Sequence, residues 1–228
     1  MTRPIEVIGF DLDDTLWDVR PVIIAAEQEL ARWLHDAVPG FEYLPERMRE
    51  HRQAIIEERP ELSHQLTELR RQVLLRALQT HTANAKALAD DAIDVFLEAR
   101  NRVELFDGAL DAIAALKPDY RLGALSNGNA NIHRIGLGQH FDFAFSAEDV
   151  GAPKPHRALF DAALSHSGIR PHQMVYVGDD PRLDVDAANR VGLRTVWIRK
   201  SPEAEPGETE ADIIIEHVRD LPDALKSL

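Results

Sequence analysis

Apolar positions follow two different rhythms in the first hundred residues. Val7, Ile8 and Phe10, with Gly9 among them, run straight into Asp11, Asp13 and Asp14. A short continuous apolar run reads as a strand buried on both faces, so 5–16 is expected to be a strand ending in a polar loop. From residue 20 to 104 the spacing changes. Apolar residues recur at Ile23, Ala26, Leu30, Trp33, Leu34 and Ala37, then at Leu66, Leu69, Val73 and Leu78. A third stripe follows at Leu88, Ala92, Val95, Phe96, Ala99 and Val103. These are helical intervals, broken where "VPGF" (38–41) and "ERPELS" (58–63) bring in turn residues. The segment is expected to be a helical bundle of its own.

Beyond residue 105, short apolar runs alternate with helical patterns. Strands are expected at "RLGALS" (121–126), "FAFS" (143–146), "MVYVGD" (174–179), "RTVWI" (194–198) and "DIIIE" (212–216). Helices are expected near 108–117, 129–137, 156–168 and 182–191. This alternation predicts a parallel α/β sheet. The first strand stands far ahead of its partners. The simplest topology is therefore a Rossmann-like α/β core made of 1–16 and 105–228, with an α-helical cap, 17–104, inserted after the first strand. In open parallel sheets, ligands gather at the carboxyl ends of the strands.

The polar residues expected at those ends form a set. The first strand brings Asp11, Asp13 and Thr15, and the second brings Ser126 with Asn127 and Gly128. "AEDVGAPKPH" after the third brings Lys154, and "VGDD" brings Asp179 and Asp180, with Asp184 close behind. Asp11 and Asp13, two apart in extended chain, point to the same side. Two such carboxylates repel unless a cation lies between them, and an oxygen-only donor set suits Mg²⁺. Asp14 and Asp18 taken singly read as turn or cap residues. "SNG" is equally a turn and helix cap or a backbone anion site. Lys154, between Pro153 and Pro155, is rigidly placed, and Pro155 suits the first turn of the helix expected next.

The bulk numbers narrow the field. A chain of 228 residues with 44% hydrophobic content fits one large domain or a domain with an insertion. A net charge of -13 argues against a nucleic-acid partner, and against an anionic substrate unless a metal or local basic groups invert the field. No apolar run has membrane-spanning length, and "MTRPIEVIGF" lacks the features of a secretory signal. Zero cysteines exclude disulfides, thiolate metal sites and cysteine nucleophiles, and fit a cytoplasmic protein. The acidic "SPEAEPGETE" (201–210) is expected to be a solvated loop without a function.

Together these residues resemble the motifs of the haloacid dehalogenase superfamily. Asp11-Leu12-Asp13-Asp14-Thr15 is similar to its DxDxT motif, and Ser126 stands at the second. Lys154 in "KPHRALF" stands at the third and "GDDPRLD" (178–184) at the fourth. Arg157 replaces a frequent proline, Phe160 is retained, and position 14 is often glycine in the family. The resemblance implies a Mg²⁺-dependent phosphatase acting on a small phosphorylated metabolite. Asp11 would be the nucleophile and Asp13 the general acid and base. The metal would be held by Asp11, the Asp13 main-chain carbonyl and Asp179. Thr15, Ser126, Asn127 and Lys154 would bind the phosphoryl group. Asp184 would orient Lys154 or the metal's waters, and Asp180 would be either a ligand or a supporting neighbour.

The dehalogenases that name the superfamily lack the second aspartate, so Asp13 favours phosphatase chemistry. "FDLDDTLWDVRPVI", "SNGNA" with "GLGQHFDF", and "DVDAANRVGLRTVWIR" resemble bacterial flavin-pathway phosphatases, which act on FMN and 5-amino-6-(5-phospho-D-ribitylamino)uracil. A generalist nucleotide or sugar-phosphate phosphatase, a phosphomutase and a non-catalytic binding protein are the alternatives. Trp17, Arg20, Arg47, Arg49, His51 and Arg52 are candidates for reaching over the substrate, or else form a solvated face. A monomer and a homodimer are both compatible with the sequence.

Overall fold

A strand that carries no charge on either face belongs inside a sheet, and β1 (Val7–Phe10) is buried along its whole length. A computed structural model of the chain describes residues 5–228. The chain divides into two compact units, one of 5–18 with Glu104–Leu228 and one of Val19–Val103.

The first unit is built on a six-stranded sheet of β1, β2 (Arg121–Ser126), β3 (Phe143–Ser146), β4 (Met174–Gly178), β5 (Arg194–Ile198) and β6 (Ile213–Ile215). The order is β3-β2-β1-β4-β5-β6 and every pairing is parallel. Parallel strands covered on both faces need continuous apolar runs. Phe10 stands beside Ala124 on one side and Val177 on the other. Asp11 prolongs the ladder, its N–H donating to the Val177 carbonyl at 2.9 Å. The strands run in one direction, so the residues that follow β1, β2 and β4 emerge at one edge.

The second unit consists of α1 (Val19–Ala37), α2 (Pro45–Glu58), α3 (Leu66–Leu78) and α4 (Ala85–Arg100). Its core joins Ala26, Leu30 and Leu34 to Leu69, Val73 and Leu78, and to Ala92, Phe96 and Ala99, the faces the periodicity picked out. Ala37 is exposed, and Val38 takes the buried place at the end of α1. "ERPELS" holds a 3₁₀ turn, Pro60–His64. A further break at 79–84, with no proline or glycine to announce it, closes where the His81 and Thr82 N–H groups both return to the Leu78 carbonyl. Arg70 ties three helices together: it pairs with Glu27 at 2.6 Å and lies over the Phe96 ring at 3.7 Å.

The helices of the first unit are α5 (Ala109–Leu116), α6 (Ile132–Ile135), α7 (Ala147–Val150), α8 (Ala158–Ser167), α9 (Ala187–Val191) and α10 (Leu221–Ala224). Several differ from the sequence reading, which has no helix at α10. The helix expected over 129–137 is a single turn, because Asn131 caps its start and Gly136, at φ 91°, ends it. The segment before Lys154 contains α7, started by a reciprocal Ser146–Asp149 cap. Pro155 lies ahead of α8 instead of in its first turn. The Asn127 side chain holds the Lys154 main chain at both its N–H and its carbonyl, which keeps this segment in a turn.

Residues 201–210 are more than a solvated loop. The fully buried Asp186 accepts hydrogen bonds from the Glu208 N–H at 2.9 Å, the Thr209 N–H at 2.8 Å and the Thr209 hydroxyl at 2.6 Å. Replacing Asp186 by alanine is expected to cost about 1–3 kcal/mol and to free this segment. Denaturant unfolding and limited proteolysis would check this. A variant of unchanged stability and protease resistance would show that the loop is held by other contacts.

Candidate active site

The chain turns sharply after β1 because the Leu12 carbonyl accepts from the N–H groups of both Thr15 and Leu16. Asp14 sits in the left-handed region, φ 61°, and its N–H donates to the Trp17 carbonyl at 2.8 Å. Glycine, asparagine and aspartate adopt that conformation at least cost, so an aspartate at position 14 suits the turn. Trp17 is wholly buried in the first unit, so it is not a residue that reaches over a substrate. Its indole N–H instead donates to Asp13 Oδ1 at 2.9 Å and orients that carboxylate.

Lys154 is the centre of the site and is 3% exposed. Its ammonium donates to Asp11 Oδ1 at 2.6 Å, to Asp184 Oδ1 at 2.7 Å and to the Tyr176 hydroxyl at 2.7 Å, which uses all three of its hydrogens. Tyr176 in turn donates to the Leu125 carbonyl at 2.9 Å. Its ring crosses β1 at Gly9, where a Cβ would come within 3.0 Å of it and within 2.4 Å of the Met174 methyl. Glycine at position 9 is thus what gives Tyr176 room to reach the lysine.

Asp179 follows β4. Its Oδ1 accepts from the Thr15 hydroxyl at 3.2 Å, and the same hydroxyl lies 3.3 Å from Asp11 Oδ2. Asp180 turns away from this cluster and caps the wide π-type turn Pro181–Asp186, accepting from the N–H groups of Arg182 and Leu183. Its own N–H donates to Asp184 Oδ2 at 3.0 Å. The Asp184 carboxyl packs so tightly on Gly178 that an added Cβ there would meet it at 2.3 Å. Ser126 Oγ accepts from the Gly128 N–H at 2.9 Å, so its hydrogen remains available to donate.

The structure therefore brings Asp11, Thr15, Lys154, Asp179 and Asp184 into one cluster, with Asp13 and Ser126 at the neighbouring chain ends. Asn127 holds the lysine's backbone, and Asp180 holds a turn. Arg49 and Arg52 border a cavity of about 320 Å³ within the helical unit, and Arg47 and His51 border another of about 430 Å³. Tyr176 and Lys200 escaped the sequence reading. A tyrosine in an otherwise aliphatic strand, "MVYVG", was a signal that a buried hydroxyl needed a partner. Lys200 carried no comparable signal.

Burial dominates the electrostatics. Two carboxylates, Asp11 and Asp184, share one ammonium, so desolvation raises both pKa values despite Lys154, that of Asp184 to about 6. Asp179 is likewise raised to about 6, by burial against the lowering effect of Lys200. Burial opposes the charge on Lys154, but Asp11 and Asp184 outweigh it and keep the amine protonated. Carboxylate oxygens of Asp11, Asp179 and Asp184 lie within 4.8 Å of one another. An all-oxygen, charge-crowded set of this kind fits a hard divalent cation such as Mg²⁺.

A parallel α/β sheet with this cluster at the carboxyl edge defines a class of hydrolase. A family model of haloacid dehalogenase-like hydrolases matches residues 5–192, and the chain belongs to that family. The 5-amino-6-(5-phospho-D-ribitylamino)uracil phosphatase YigB of Escherichia coli is 34% identical over 201 residues, 86% of this chain and 84% of that protein. A phosphoserine phosphatase of Thermus thermophilus is 27% identical over 95% of this chain and 97% of its own. A crystal structure described as a 2-haloacid dehalogenase, from Pseudomonas syringae pv. Tomato, superposes with a TM-score of 0.94 at 36% identity. It covers 98% of this chain and 99% of its own. Among the described residues, no helix is long and apolar enough to cross a membrane.

The raised Asp179 pKa carries a stability consequence. The native carboxyl takes up a proton near pH 6 and the unfolded one near 3.8, so the folded metal-free protein loses stability as pH rises between those values. Asp179→Asn, metal-free at pH 7.5, is expected to be more stable than the parent by about 1–3 kcal/mol, and the gain should vanish by pH 4. Urea unfolding at the two pH values checks this. A destabilised variant at pH 7.5 would mean that the Asp179 charge is well compensated.

Proposed function

We propose that the protein is a Mg²⁺-dependent phosphatase that hydrolyses a small phosphomonoester through an aspartyl-phosphate. The observation that carries this reading is the second carboxylate, Asp13, two residues past the Lys154-bound Asp11 and aimed by the Trp17 indole. An Asp11 carboxylate oxygen attacks phosphorus, and the bond from phosphorus to the ester oxygen breaks. Asp13 gives its proton to the departing alkoxide. A water then attacks the aspartyl-phosphate and passes a proton to Asp13, which releases phosphate and restores both carboxyl groups. The Ser126 hydroxyl and backbone N–H groups around Gly128 are suited to hold the phosphoryl oxygens. Asp11 and Asp179, with the Asp13 main-chain carbonyl, would hold a divalent cation, which would supply charge neutralisation for the nucleophile and the phosphoryl group.

Lys154 stays protonated in this scheme and acts as a fixed charge that holds Asp11, with Asp184 and Tyr176 keeping it there. A halide departs without a proton, whereas an alkoxide needs one, and that need gives Asp13 its role. The likeness to a structure described as a dehalogenase favours a second reading, halide release from a 2-haloacid. Among phosphomonoesters, the flavin-pathway motifs favour FMN and 5-amino-6-(5-phospho-D-ribitylamino)uracil, and the name of the 34% identical relative favours the second of these.

Phosphate release would be measured with Mg²⁺ on FMN, the ribitylaminouracil phosphate, nucleoside monophosphates and sugar phosphates, with halide release from 2-haloacids alongside. Asp11→Asn is expected to abolish turnover of the preferred phosphomonoester while remaining folded. Turnover near the parent level would remove Asp11 as nucleophile, and halide release without phosphate release would turn the assignment to the dehalogenase. Asp13→Ala is expected to lose roughly 10²–10⁴-fold on alkyl phosphates and far less on p-nitrophenyl phosphate, whose leaving group needs little protonation. An equal loss on both would make Asp13 a structural residue.

A further inference from the structure

Lys200 lies just beyond β5, outside every motif that marks the site. Its ammonium stands 3.5 Å from Asp179 Oδ2 and 3.6 Å from Asp14 Oδ1. It also lies 5.2 Å from the centre of the Phe106 ring. Two carboxylates carried by different strand ends thus meet across one amine, and Asp14 owes its place there to its left-handed backbone. Thr15 takes one oxygen of Asp179 and Lys200 faces the other. Beside the amine, a cavity of about 350 Å³ is bordered by Lys200, Thr15, Phe106, Ile198 and Glu216. The lysine side chain therefore has open space beside it.

With the metal-holding role of Asp11 and Asp179 as its premise, we propose that Lys200 is an internal counter-cation. It bridges Asp14 and Asp179 in the metal-free protein and competes with the divalent cation for Asp179, so its charge sets the affinity. A unit charge a few ångströms from a ligand oxygen repels an arriving dication. The lysine's partial exposure screens part of that repulsion, so the effect is a tuning of affinity and not a block. Lys200 is a positioning residue in this role: it touches the ligand carboxylate and no reacting atom.

The test is calorimetric titration of the metal-free protein with Mg²⁺ at pH 7.5, with melting temperatures taken alongside. Lys200→Met keeps an unbranched apolar chain and removes the charge. It is expected to bind Mg²⁺ roughly three- to tenfold more tightly. It should also melt lower without metal and gain more on adding it. Lys200→Arg keeps the charge and is expected to stay within about twofold of the parent. Unchanged or weaker binding by Lys200→Met, with the parent binding normally, would overturn the role of Lys200 alone. A parent that binds no Mg²⁺ would overturn the metal premise and this role with it.

Discussion

A buried ammonium has to find its partners before the chain can close over it, and Lys154 finds them on several separate segments. Asp11 follows β1, Tyr176 lies within β4, Asp184 belongs to the turn after it, and Asn127, just beyond β2, holds the lysine's own backbone. Removing one partner from such a group leaves a charge in low dielectric at a cost of several kcal/mol, so the contacts stand or fall together. They also make strand register consequential. A slip of one residue in β1 or β4 would turn Asp11 or Tyr176 to the opposite face and leave the amine unmatched. The glycines at 9 and 178 belong to the same constraint, since each yields the volume that a neighbouring site residue occupies.

The same cluster is unbalanced in charge. Asp11, Asp13, Asp14, Asp179 and Asp184 gather near two amines, those of Lys154 and Lys200. The raised pKa values of Asp11, Asp179 and Asp184 express that excess, with burial as the main cause. An excess of buried negative charge is a fault in a scaffold and an asset at a site meant for a dication. It also bears on how a chain of net charge -13 could take a phosphorylated substrate: the cation and the lysines would invert the field locally. On this reading the stability sacrificed at the sheet edge is recovered when metal binds.

Much of this was legible in the residues. The run into Asp11, the strand ends carrying Ser126 and Asp179, and the proline-flanked Lys154 are all local patterns, and the expected strands over 121–126, 143–146 and 194–198 match the sheet. Element ends were less legible. The single-turn α6, the short α7 and the break at 79–84 depend on caps and turn hydrogen bonds that periodicity does not register. Asp180 reads like its neighbours Asp179 and Asp184 in sequence, and only the backbone after β4 shows it spending its carboxylate on a turn.

The sequence by itself determined the class of fold, the parallel sheet and the identity of the acidic and basic groups at its edge, because alternation and run length are properties of neighbouring residues. The tertiary structure alone decided which charges meet. Lys154 and Asp11 are 143 residues apart along the chain, and Lys200 and Asp14 are further apart still. No spacing rule connects such pairs. Their distances follow from the parallel register, which delivers remote segments to one edge, and from burial, which forces the charges delivered there to pair.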